Sequence, residues 1–109
     1  RELYRLDGEV MRDATIEKIE QALAAGYPVI VPLYGYALPN PNFRQLSDYH
    51  MIVIRGYDAD EFITNDNGTT HGRRWKYPKQ KVMDAIHDYK AGNTKNGARS
   101  VITVMGLLP

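Results

Sequence analysis

The sequence predicts an α+β fold: an antiparallel sheet with two packed helices, in the order αβββαβ. Three observations predict it. Two segments carry apolar residues at helical spacing. Four segments are short, β-branched apolar runs of the kind that form strands. Clusters of Gly, Pro, Asn and Asp separate these segments and punctuate the chain. The 109 residues suit a single small domain, and a hydrophobic content of 43% is enough for one core.

Residues 1–12 have weak periodicity and read as an extended or irregular lead-in. A helix opens at Asp13-Ala14-Thr15, with Asp13 as its expected N-cap. Ile16, Ile19, Ala22 and Leu23 form its apolar face, and Gly26 stops it. Tyr27-Pro28 turns the chain into a strand, Val29-Ile30-Val31-Pro32-Leu33, apolar on both faces as a central strand requires. Pro32 has no N–H to give a ladder, so the strand ends there or lies at an edge. Residues 34–48 are a 15-residue loop rich in breakers. Residues 49–57 and 61–66 are the next two strands, joined by a hairpin turn at Asp58-Ala59-Asp60. Asn67 to Arg74 is polar and Gly-rich. Trp75, Tyr77 and Pro78 lead into a helix from about 79 to 90, which buries Val82, Met83, Ile86 and Tyr89. Ala91-Gly92-Asn93 ends it, and 101–105 is the last strand.

Composition narrows the function. A net charge of +1 gives no electrostatic footprint for nucleic acid. No apolar run reaches the roughly 20 residues that span a bilayer, and no signal peptide is visible. The chain starts at Arg1, so it reads as processed or excised, with any export signal lying upstream. Its complete lack of cysteine excludes disulfides and thiolate metal sites and leaves the redox compartment unread. No residue pattern implies a cofactor. A zinc site from His50, His71 and Asp66 matches no ligand spacing. The segment Asp58-x-Asp60-x-Phe62-x-Thr64 begins like a calcium loop, then fails at Phe62 and Ile63. Arg73, Arg74, Lys76, Lys79 and Lys81 are offset by Asp84 and Asp88 and read as a solvated face; His87 is expected to face solvent.

The chemistry concentrates in His50-Met51-Ile52-Val53-Ile54-Arg55-Gly56-Tyr57-Asp58 and the return strand ending Thr64-Asn65-Asp66. A histidine at the mouth of a buried strand faces an amide and a carboxylate across one turn. That is the base and its orienter in a nucleophilic triad. In a regular hairpin, an odd number of turn residues puts His50 and Asp66 on one face. An even number pairs His50 with Asn65 instead. The plainer alternatives are a strand-end histidine bonded to backbone and an ordinary Asn-Asp-Asn-Gly turn. Tyr34, Tyr36 and the Pro39-Asn40-Pro41 loop are candidates for lining a substrate groove, and equally suit a surface loop.

These segments together resemble the C-terminal half of the C39-like peptidases, a papain-like cysteine peptidase family. The resemblance rests on a helix, then Gly26-Tyr27-Pro28-Val29-Ile30-Val31, then His50 to Asp58, then Asn65-Asp66, and covers roughly residues 13–90. It implies that His50 is the catalytic histidine and that Asp66 orients it, with Asn65 as the substitute. Asn67 stands where the family has Pro. The family's cysteine and oxyanion-hole side chain belong to an N-terminal half that has no counterpart here. The resemblance therefore implies the His/Asp-bearing part of a cysteine peptidase, inactive alone. Its substrate would be a peptide or protein, and its setting secreted or cell-envelope. The alternative is a C39-like module that binds peptide or protein without catalysis. Without the helical half one sheet face would be uncovered, which predicts a partner chain, a homo-oligomer or a domain swap.

Overall fold

The computed structural model describes residues 5–38, 40, 48–66, 73–88 and 97–108. Six strands form one antiparallel sheet: β1 (Arg5–Met11), β2 (Val29–Tyr34), β3 (Tyr49–Tyr57), β4 (Glu61–Asp66), β5 (Arg73–Pro78) and β6 (Val101–Leu108). Their lateral order is β1-β6-β2-β3-β4-β5. Two helices, α1 (Ile16–Ala24) and α2 (Lys79–Ala85), pack on the sheet. The element order is therefore βαββββαβ. The two strands added to the expected order are the sheet's edges. β1 occupies the lead-in read as irregular, and β5 occupies the Trp75 to Pro78 segment read as a prelude to a helix. Charged residues and a terminal proline are what exposed edges carry, and they weaken the strand signal.

The helices begin and end where backbone groups can be satisfied. Asp13 has φ of 50°, outside the extended range an N-cap needs. Thr15, at φ −126° and ψ 162°, takes that place, and its hydroxyl accepts from the Lys18 N–H at 3.1 Å. At the other end Gly26 has φ of +90°. The Gly26 N–H reaches the Leu23 carbonyl at 2.9 Å and the Tyr27 N–H reaches that of Ala22 at 3.0 Å, the paired bonds of a Schellman cap. α2 is shorter than expected, closing at Ala85. Arg99 explains the stop: its guanidinium donates to the Ile86 carbonyl at 3.2 Å and to that of Met83, satisfying a helix end with a cation. Tyr89, the 91–93 terminator, Pro39, Pro41, Asn67 and His71 lie outside the described residues.

Pro32 sits inside β2, and the strand continues to Tyr34. β6 pairs with β2 only at Val29 and Ile30, so beyond them the β6 side of β2 is edge-like. There the chain leaving α2 comes alongside: Leu33 bridges to Ile86, and the His87 N–H donates to the Pro32 carbonyl at 3.2 Å. The missing proline donor falls on that side, where no regular ladder runs. His87 is half-buried, with Nδ1 3.1 Å from the Gly97 carbonyl, so it ties down this junction instead of facing solvent.

The core lies on one side of the sheet. Val29, Val31, Leu33, Ile52, Ile54 and Phe62 are buried there with Ile19 of α1 and Val82 and Met83 of α2. The opposite side presents a cross-strand row, Val10, Ile102, Ile30 and Val53, in direct register across β1, β6, β2 and β3. Val10 is 55% exposed, Ile102 39% and neighbouring Met51 40%.

Candidate active site

His50 stands second in β3, opposite Leu33 of β2, on the helix-covered side of the sheet. Asp66 ends β4 opposite Ile52, two residues along the same face. The turn alone does not produce this. Tyr57 pairs with Phe62, leaving the four residues 58–61 between them, and a regular ladder from that start would give His50 the face of Asn65. The register shifts between Ile54 and Gly56, where Arg55 is an extra residue in β3. That bulge moves every upstream pairing by one and brings Asp66 under His50. Asn65, opposite Val53, lies on the other face and accepts from the Arg74 N–H at 3.3 Å.

His50 Nε2 is 2.5 Å from Asp66 Oδ1. The His50 side chain is 18% exposed, while that of Asp66 is fully covered. Asp66 Oδ2 accepts a second bond, at 2.6 Å, from the Tyr77 hydroxyl. The Asn40 amide in turn donates to the Tyr77 oxygen at 3.0 Å. Asn40, Tyr77 and Asp66 are all buried. Burial pushes the Tyr77 phenol well above the ordinary tyrosine range, and the Asp66 carboxylate it binds pushes the same way, against a smaller opposing effect from Asn40. A buried carboxylate needs such donors, since desolvation otherwise disfavours its charged form.

Sequence reasoning linked neither Tyr77 nor Asn40 to His50 and Asp66, naming Asn40 only within a candidate groove loop. Tyr77 belongs to a strand taken for a lead-in, and Asn40 stands among loop prolines, 37 positions from its partner. The alternation of Trp75 and Tyr77 with Arg74 and Lys76 was the available signal for β5. Tyr34 closes β2 opposite Tyr49, and Tyr36 is exposed in a 3-10 turn, Gly35–Ala37. The two rings meet edge to face with centroids 5.6 Å apart. A cavity of about 200 Å³ beside the Tyr77 ring is lined by Leu38, Pro78 and Lys81, not by these tyrosines. Among the described residues, no group of three or more His, Asp or Glu could hold a metal ion, and no helix is long and apolar enough to cross a membrane.

An imidazole whose Nε2 meets a buried carboxylate has its orientation fixed. Comparison with known proteins agrees with the architecture. A family model described as the Peptidase_C39 like family matches residues 2–95. No curated protein matches the chain. Among solved structures, a Bacillus anthracis protein that carries the description C39-like peptidase superposes with a TM-score of 0.63 at 17% identity, which speaks to the fold. The match covers 90% of this chain but 50% of that one, so the chain spans half its length.

Proposed function

We propose that this chain, which belongs to the Peptidase_C39 like family, is the histidine- and carboxylate-bearing part of a papain-like cysteine peptidase. In this reading His50 is the base and then the acid of thiolate acyl transfer on a peptide bond, and Asp66 is its orienter. The observation that carries it is the 2.5 Å contact between His50 Nε2 and Asp66 Oδ1 at a partly exposed ring. A thiol beside Nδ1 would give its proton to the imidazole, and the resulting ion pair is the nucleophilic form. The chain contains no cysteine, so the thiol comes from a segment outside it, and the chain alone is inactive. Asn65 has no part in orienting the ring. Tyr34 pairs with Tyr49 on the sheet face opposite His50 and so leaves the groove beside the ring to other residues, while Tyr36, exposed in the turn beyond, belongs to the surface a substrate peptide would cross. Export to the cell envelope or beyond follows from the family likeness.

The lack of cysteine also favours a second reading, a module that holds a peptide or protein without cleaving it. The test is the sequence encoded upstream of Arg1. A cysteine at the start of a helix there supports the peptidase. The longer protein should then cleave peptides, and His50→Gln should lower kcat by about 10⁴-fold. An upstream half without that cysteine, or full activity in His50→Gln, overturns the catalytic reading and leaves binding.

A further inference from the structure

We infer that Tyr77 is a positioning residue for the His50–Asp66 pair, and that Asn40 sets the direction of its hydroxyl proton. The inference rests on the catalytic reading of His50 and Asp66 and adds two residues to it.

The geometry carries the argument. Asp66 presents one oxygen to each neighbour: Oδ1 to His50 Nε2 at 2.5 Å, Oδ2 to the Tyr77 hydroxyl at 2.6 Å. A carboxylate held through one oxygen can still turn about its Cβ–Cγ bond. With both oxygens engaged on opposite sides, its plane is defined, and so is the line along which Oδ1 meets the ring. Tyr77 suits this task because its hydroxyl rides on a rigid ring. The ring is buried on β5, whose Tyr77 lies directly opposite Phe62 of β4.

A phenol hydroxyl can donate or accept, so its direction needs a cause. An ionised carboxylate only accepts, and the Asn40 amide nitrogen only donates. Asn40 Nδ2 at 3.0 Å occupies the accepting side of the Tyr77 oxygen and turns its proton toward Asp66. The result is a one-way chain, Asn40 to Tyr77 to Asp66, meeting His50 from the far side. Burial of all three groups keeps competing water away and strengthens each bond. The chain also ties the connection between β2 and β3 to the orienter, through a residue far from both in sequence.

The test uses the present chain and needs no nucleophile. The low-field proton on His50 Nε2 is followed by NMR in wild type, Asp66→Asn, Tyr77→Phe and Asn40→Ala. Asp66→Asn should abolish the low-field signal. Tyr77→Phe keeps the ring and removes only the hydroxyl. If Tyr77 positions Asp66, the carboxylate loosens, and the low-field proton moves upfield and broadens. Asn40→Ala should produce a smaller change of the same sign, and it carries the test if Tyr77→Phe does not fold. A low-field proton that keeps its wild-type position or moves further downfield in both variants overturns the inference, since a downfield move means that Tyr77 merely shares the carboxylate's charge. A low-field signal untouched by Asp66→Asn overturns the reading beneath it instead.

Discussion

Tyr77 brings its own pH signature. Burial first, then the bond to Asp66, raises its phenol above the value of about 10 expected in an unfolded chain. The folded protein therefore keeps a proton that the unfolded chain releases above that pH. The stabilisation is fully present below pH 10 and is lost as pH rises beyond it, by about 1.4 kcal/mol per pH unit. Tyr77→Phe has no such linkage. Urea unfolding of both proteins from pH 9 to 11 should show the gap between them narrowing as pH rises above 10. A gap that stays constant would mean that the hydroxyl is not held as a neutral donor in the folded state. At this scale the sequence was partly legible. His50 and Asp66 stood out through their motifs, because strand mouth and turn leave a local imprint. Tyr77 and Asn40 did not, because what distinguishes them is a meeting across 37 positions, and no local pattern encodes that.

The choice between Asp66 and Asn65 belongs to the strand pair. Parity counting assumes an unbroken ladder, and with residues 58–61 between Tyr57 and Phe62 it would have selected Asn65. The extra residue at Arg55 reverses that answer. Arg55 is exposed and Gly56 has room beside Ile63, so the bulge leaves no strong trace in the pattern of apolar residues. Deleting Arg55 would join Ile54, opposite Thr64, directly to Gly56, opposite Ile63. The faces of both strands survive that change, and the low-field His50 Nε2 proton should stay as in wild type. Deleting Ile52 instead removes one ordinary ladder position and turns His50 to the opposite face. The low-field signal should then be lost, as in Asp66→Asn. If Arg55 deletion also separates the pair, the bulge's own bend, and not its residue count, sets the site. The same non-local character hid β1, whose partner strand lies at the far end of the chain, pairing Arg5 with Leu108.

For the whole molecule, the two faces of the sheet have separate roles. His50 shares its face with the helices, whereas the apolar row of Val10, Ile102, Ile30 and Val53, exposed at its Val10 and Ile102 end and half-buried at the other, lies on the opposite face. The expectation of a single uncovered surface that one missing half would close thus divides in two. On the proposed reading, a segment delivering a thiol to His50 would approach from the helix side or the strand mouth, which leaves the outer row open to a separate contact. Contiguous exposed apolar surface favours association, so the isolated chain should self-associate through this row. Sedimentation velocity at rising concentration should show mass increasing in wild type. Ile102→Lys places a charge in the middle of the row, at a side chain that already reaches solvent. That variant should remain monomeric over the same range with little loss of stability. Its low-field His50 Nε2 proton should match wild type, because the substitution lies across the sheet from the ring. A wild-type chain that stays monomeric at high concentration would sink the association. A low-field proton that moves in Ile102→Lys would instead show that the two faces are coupled through the sheet.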